Sequence, residues 1–168
     1  MNLLGTLGLD AVEADPNVIP VGRYNGVIFK SEYVHVTKSD SVSHVITYQV
    51  TDGDRKGAQR QEWFNLGVNP TFDATGNIVA LTPTMSEVQK PWYKKRLVDL
   101  GITEEAVSTT FHPSQLVGKQ VVFGLKANGS YLNINFVELA GPPAGNTAGT
   151  PVNVPPTGDN VGGLAGVV

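Results

Sequence analysis

The alternation of apolar and polar residues predicts three consecutive strands in the first half of the chain. Residues 22–36, GRYNGVIFKSEYVHV, are rich in β-branched and aromatic residues, which is typical of a long strand. Residues 42–51 and 58–66 alternate in the same way and predict the second and third strands. The polar segments between them, 37–41 and 52–57, have the composition of turns.

The middle of the chain departs from this pattern. Residues 69–85 contain the turn sequence DATGN followed by a short apolar run, which predicts a small hairpin. Residues 91–100, PWYKKRLVDL, are the strongest helix signal, with Pro at the start and Gly101 just past the end. A second short helix is predicted at 103–107, with Thr103 as its N-cap.

The spacing of apolar residues within the main helix predicts which face is buried. Tyr93, Leu97 and Leu100 lie at i, i+4 and i+7 and form one stripe. Because this stripe faces the core, Lys95 and Arg96 are predicted to point away from it.

The last two strands are predicted as a hairpin around Asn128-Gly129, a strong two-residue turn signal. Centring the turn there pairs Lys126 with Tyr131 and Phe123 with Ile134. The apolar pairs then share one face, and a slip of one residue would disrupt that face.

The predicted order is three strands, a helix and two strands. This order predicts a mainly all-β fold, a five-stranded OB-fold Greek-key barrel with one helix between strands 3 and 4. A generic β-sandwich is the alternative.

Composition divides the chain into three parts. Residues 140–168 hold 7 of the 19 Gly and 5 of the 11 Pro, and every aromatic residue lies between Tyr24 and Phe136. A segment without aromatic residues rarely buries enough apolar area to offset its conformational entropy. The sequence therefore predicts an acidic lead-in over 1–18, a folded domain over 19–139 and a disordered Gly/Pro-rich tail over 140–168.

Several classes of site and location are disfavoured. The chain has no cysteine, which excludes disulfides, a cysteine nucleophile and cysteine zinc sites. It has no stretch of about 20 apolar residues and no signal-peptide pattern at its start, so a soluble cytoplasmic protein with no membrane partner is expected. P-loop, dinucleotide and G-x-S-x-G motifs are absent, and the three histidines are scattered. We therefore predict no enzyme activity, no cofactor and no metal site.

The net charge of −3 gives no first indication of nucleic-acid binding. The predicted domain, however, contains all 12 Lys and Arg, whereas the charged residues of the lead-in and the tail are all acidic. The domain is thus nearly balanced, and any binding of DNA has to depend on stacking as much as on charge.

The ordered set of segments resembles phage-encoded single-stranded-DNA-binding proteins. The opening PVGRYNGVIFKSEYVHVTKSD is similar to their entry strand, and VITYQVTDGDRKGAQRQEWFNLG to their second and third strands. KKRLVDLGI resembles their helix, and LVGKQVVFGLK with NGSYLNINFVEL resembles their closing hairpin. The chain departs from those that end in an acidic tip, because it ends in GGLAGVV.

The resemblance implies an OB-fold protein that coats single-stranded DNA during replication or recombination in the cytoplasm of a host bacterium. Replication or recombination proteins are further candidate partners. The sequence leaves homo-oligomer formation open.

Trp63 is the sharpest candidate for a base-stacking residue. It shares strand parity with Gln61 and Asn65, which predicts exposure, whereas Phe64 has the opposite parity and is expected in the core. The alternative is that Trp63 packs in the core or is covered by residues 69–85. The same parity places the charged Glu62 inward together with Phe64, which does not suit a core position. A bulge in the strand would resolve this inconsistency.

The other candidates are aromatic residues and cations that suit bases and phosphates. Each has an ordinary structural alternative: Tyr33 can pack internally, and the basic helix face can be simply solvated. The candidate DNA-binding residues besides Trp63 are Tyr33, Tyr131, Arg60, Lys126, Lys30, Arg23, Lys38, Lys56, Trp92, Lys95 and Arg96.

A second function from a different class is a virion or assembly β-barrel that serves as a protein-interaction module. An exposed dry apolar patch would favour that protein partner, and a groove of Trp, Tyr and Lys would favour DNA.

Overall fold

A computed structural model of the protein describes residues 19–129 and 131–141. The predicted lead-in, 1–18, and the predicted tail beyond residue 141 lie outside the described residues. The described part is mainly β and curls into a half-barrel. Its strands are β1 (Gly22–Val36), β2 (Ser41–Val50), β3 (Gln59–Phe72), β4 (Ile78–Pro83), β5 (Gln120–Asn128) and β6 (Tyr131–Leu139).

The described part has six strands where five were expected. The small hairpin predicted at 69–85 is present, but it belongs to the main sheet: β3 continues to Phe72, and β4 pairs with its second half. Backbone contact there is close, because a Cβ added at Gly67 would overlap the carbonyl of Thr82. The absence of a side chain at Gly67 therefore lets β4 approach β3.

Both predicted helices are confirmed. They are α1 (Gln89–Asp99) and α2 (Glu104–Thr109), followed by a 3₁₀ turn at Pro113–Leu116. Gly101 ends the α1 segment with a φ of 88°, and Thr103 caps α2 by accepting a hydrogen bond from the Ala106 N–H.

The sheet order is β4-β3-β2-β1-β5-β6, and every neighbouring pair is antiparallel. Within it, β1, β2 and β3 are joined by consecutive turns, and β5 returns through the helices to lie beside β1. This is the Greek-key arrangement.

The part of the chain that the structure describes has several unpaired strand edges, and those of β3 and β6 border one gap. β4 pairs with β3 only from Gly67 onward, so residues 60–66 of β3 have no strand on the side away from β2. β6 pairs with β5 alone. Arg60 crosses the gap between them, since its Nη2 donates a hydrogen bond of 3.1 Å to the Leu132 carbonyl. We call this gap between β3 and β6 the seam.

The core lies inside the curl of the sheet and is covered by α1. Leu97 of α1 and Leu100, the residue that caps its C-terminus, are buried, and Tyr93 packs beside them, as the predicted stripe required. They meet the inner face of the sheet, where Ile46 and Phe123 have no exposed surface.

The closing hairpin is present, but the predicted register is wrong. Asn128, not Lys126, pairs with Tyr131, and Lys126 pairs with Asn133. The turn is thus centred one residue later than predicted, with Gly129 at a φ of 63°. Over residues 125–128 each partner lies two positions later on β6 than predicted, which preserves parity. A register shift between Gly124 and Leu125 then places Phe123, which is still buried, opposite Val137 instead of Ile134.

Candidate nucleic-acid interface

Trp63 lies on the outer face of β3, as predicted, and is 52% exposed. Its cross-strand partner on β2 is Val45, which is buried. The indole Nε1 is 3.3 Å from Gln61 Oε1, to which it donates a hydrogen bond. One broad aromatic face is therefore presented to solvent among polar neighbours, a geometry that suits stacking of a base.

A β-bulge adds a second exposed aromatic ring that the sequence analysis missed. The register of β1 against β2 shifts at Phe29, which lies between the paired residues Ile28 and Lys30. Phe29 is 47% exposed. The shift also reverses the alternation along β1, so strict period-two counting fails beyond this point.

Tyr33 lies on the opposite face of the sheet from Trp63. Its ring contacts the buried His44 edge-on at 5.7 Å, and His112 at 6.3 Å. Burial raises the pKa of Tyr33. Because the two rings are on different faces, a DNA strand that crosses the outer surface cannot stack on both Tyr33 and Trp63. The position of Tyr33 fits the alternative, in which its ring packs internally.

Arg96 is not on a solvated helix face. Its side chain is 10% exposed, and its guanidinium makes hydrogen bonds of 2.9–3.1 Å to both carboxylate oxygens of Glu62. The Tyr48 hydroxyl also donates a hydrogen bond of 2.9 Å to this carboxylate. The expectation that Arg96 points away from the core is therefore wrong, and its cation is already neutralised.

The pKa values of this cluster follow from burial and from Glu62. Burial acts to lower the pKa of Arg96, but the hydrogen bonds and charge of Glu62 outweigh it and raise that pKa. Burial, followed by the Glu62 charge, raises the pKa of Tyr48 well above its ordinary value. Glu62 is thus inward without any bulge at its position, because Arg96 and Tyr48 satisfy it.

Three other candidate cations are held in exposed ion pairs. Arg23 pairs with Glu138 at 3.1 Å, and its guanidinium also lies 5.1 Å from the centre of the Phe136 ring. The remaining pairs are Lys30 with Glu32 and Lys95 with Asp99. Exposed pairs contribute only about 0–1 kcal/mol, so a phosphate can compete for these cations.

Three candidate lysines make no ion pair within the described residues. Lys38 lies in the β1–β2 turn, Lys56 in the β2–β3 loop and Lys126 on β5. These ammonium groups are available to an anion without breaking an existing pair.

A groove opens along the seam and brings several candidates together. It has a volume of about 560 Å³, and we call it the seam groove. It contains Trp92, Arg96 and Lys126 of the predicted set. The complete lining is Glu62, Phe64, Trp92, Arg96, Lys126, Ala127, Asn128, Asn133, Ile134 and Asn135.

No model of a known protein family matches the chain. Searches against curated proteins and against solved structures also give no match. What the interface does must therefore be inferred from its own residues.

Tyr131 stands at the tip of the β5–β6 hairpin and is 75% exposed. It pairs with Asn128, so it is a diagonal neighbour of Lys126 on the same face. Diagonal neighbours remain within reach of long side chains. The predicted aromatic–cation combination therefore survives the change in register.

Arg60 faces inward on β3 and is partly buried by its bond across the seam. It contributes to holding the seam rather than to a free phosphate-binding surface.

Among the described residues, no helix is long and apolar enough to cross a membrane, and no group of three or more His, Asp or Glu is placed to hold a metal ion.

Proposed function

We propose that this protein is a phage-encoded, sequence-nonspecific single-stranded-DNA-binding protein of the OB-fold type, which protects DNA strands during replication or recombination. In this proposal the five OB strands are β1, β2, β3, β5 and β6, and β4 is an addition to β3. The Greek-key order and the helices between the third and fourth of those strands support it.

The single observation that carries the proposal is the exposed ring of Trp63 on β3. OB-folds bind oligonucleotides across the face of their second and third strands. Trp63 lies on that face with Gln61 and Asn65 on either side along the strand, and Phe29 adds a second ring on β1. Aromatic rings among polar groups accept bases of any sequence, because every base has a π-face.

The charges favour binding of moderate affinity. The unpaired Lys38, Lys56 and Lys126 can contact phosphates directly, and the exposed pairs of Arg23 and Lys30 can exchange a carboxylate for a phosphate. Residues 19–139 hold 11 acidic and 12 basic side chains, so affinity rests on stacking as well as on charge.

Replacing Trp63 with alanine is expected to weaken binding of a fluorescently labelled oligo-dT by roughly 5- to 100-fold, because one stacking contact of about 1–3 kcal/mol is lost. Fluorescence anisotropy at low salt measures this change. Trp63→Phe should retain most of the affinity, since a stacking ring remains.

Val79→Ala is the matched control, because Val79 is 61% exposed on β4 and carries no aromatic ring. It should bind oligo-dT as the unmodified protein does. Equal affinities for Trp63→Ala and Val79→Ala would contradict the proposed interface.

A further inference from the structure

The seam groove is distinct from the outer face that carries Trp63. Glu62 and Phe64 line the groove, and Trp63 between them points to the other side of β3. The free edge of β3 therefore separates the two surfaces by the width of one strand. A flexible polymer lying on the outer face can pass over that edge into the groove.

The floor of the groove is electrically satisfied. Glu62 and Arg96 neutralise each other through three hydrogen bonds, and Tyr48 completes the carboxylate's contacts. Neither charge is available to a ligand ion. The free cation of the groove, within the described residues, is Lys126 at the rim.

The rest of the rim is rich in amides. Asn128, Asn133 and Asn135 are exposed, and none makes a side-chain hydrogen bond within the part of the chain that the structure describes. Each amide offers a donor and an acceptor side by side. Such a pair matches the polar edge of a nucleobase, where donors and acceptors also lie side by side.

Trp92 supplies the flat surface that a base requires. It is on α1, it is 66% exposed, and it lines the same groove as the three amides. Phe64 and Ile134 add apolar walls. The volume of about 560 Å³ is within the range of about 300–1,000 Å³ that is usual for small-molecule sites.

We propose that the seam groove is a subsite for one unstacked nucleobase of the bound single strand. Trp92 stacks on the base, the asparagine amides bond to its edge, and Lys126 contacts the neighbouring phosphate. This inference rests on the proposed function and extends it, because it adds a second base-binding position across β3 from Trp63. An amide can pair with the edge of any base, so the subsite does not require a particular sequence.

The test compares two labelled strands of equal length, oligo-dT and an abasic deoxyribose-phosphate oligomer, against variants of the full chain. Trp92→Ala is expected to weaken oligo-dT binding by roughly 5- to 100-fold and to leave abasic binding within about twofold. Asn133→Ala should weaken oligo-dT binding selectively as well. Trp92→Phe should retain most of the affinity.

Lys126→Gln and Lys119→Gln form a matched pair of charge removals, since neither lysine makes an ion pair within the described residues and only Lys126 lines the groove. Lys126→Gln should weaken both strands more than Lys119→Gln does. An equal loss from the two would contradict the role of Lys126.

The outcomes separate this inference from the function beneath it. If Trp63→Ala weakens oligo-dT binding but Trp92→Ala and Asn133→Ala do not, the groove proposal fails and the proposed function stands. Equal losses on both strands for Trp92→Ala would also overturn it, because a base-binding site must distinguish them. Displacement of oligo-dT by micromolar free dTMP would assign the groove to a mononucleotide instead. No binding of either strand by the unmodified protein would remove both proposals.

Discussion

Replacing Arg96 with alanine is expected to lower the free energy of unfolding by about 3–5 kcal/mol, because the Glu62 carboxylate would remain inside the protein without its cation. The pair is largely removed from solvent, with side-chain exposures of 10% for Arg96 and 16% for Glu62. Tyr48 alone would then stabilise the negative charge. Urea unfolding at pH 7, followed by circular dichroism, measures the change.

Lys95→Ala is the matched control for that experiment. Lys95 is the preceding residue on the same helix, and its partner Asp99 forms an exposed pair with it at 2.7 Å. Loss of such a pair should cost at most about 1 kcal/mol. A double replacement of Glu62 and Arg96 by Leu and Met should recover much of the stability lost by Arg96→Ala, since no charge is then left unpaired. If Arg96→Ala costs no more than Lys95→Ala, the buried pair does not stabilise the fold as described.

The second large effect is a loss of stability in mild acid through His44. This side chain has no exposed surface, and its ring nitrogens lie 2.8 Å from Ser31 Oγ and 2.8 Å from the Tyr93 hydroxyl. The ring of Tyr33 packs against it as well. Burial lowers the pKa of His44 to about 4, from an ordinary value of 6.5.

The direction of the effect follows from which state binds the proton. Below pH 6.5 the unfolded chain protonates His44, whereas the folded chain does not until about pH 4. The free energy of unfolding should therefore be constant above pH 6.5 with respect to this group. It should fall by about 2 kcal/mol by pH 5 and by about 3 kcal/mol by pH 4.

Urea unfolding at pH 7, 6 and 5 measures the slope of the free energy of unfolding against pH. His44→Gln should remove the part of that slope that comes from His44. His112→Gln is the control, because it replaces a histidine that is exposed instead of the buried one. A slope that is identical in the unmodified protein and in His44→Gln would show that His44 does not stay neutral in the folded state.

Much of the sheet could be predicted because residue composition and alternation are both local signals. The β1 segment was predicted with its correct ends, 22 and 36, from β-branched and aromatic content alone. The exposure of Trp63 followed from counting by two along β3. The α1 stripe of Leu97 and Leu100 followed in the same way from a period of 3.6.

The hairpin register was wrong for a physical reason. The predicted and observed registers both place Phe123 and Leu125 in the core, so burial cannot distinguish them. The turn conformation decides between them, and Asn-Gly supports more than one turn position. The bulge at Phe29 was also missed, because no residue type indicates where a strand contains an extra residue.

The role of Arg96 was missed because its partner is distant along the chain. Helical spacing predicts a surface position for a basic residue beside Lys95, and nothing local identifies a carboxylate 34 residues away. The available signal was the position of Glu62, which alternation along β3 places on the inner face of the sheet. A charged residue sent into a core requires a partner of opposite charge, and the search for one leads to α1, which covers the inner face and carries Arg96.

Titration of the full chain with oligo-dT, followed by tryptophan fluorescence at several salt concentrations, tests the central proposal most directly. Stacking on Trp63 should quench the emission. If about five phosphates are neutralised, the logarithm of the association constant should fall with the logarithm of the salt concentration at a slope of about −3 to −4. Absence of both quenching and a gel shift at low salt with micromolar protein would contradict single-stranded-DNA binding, and binding with a flat salt dependence would contradict its electrostatic part.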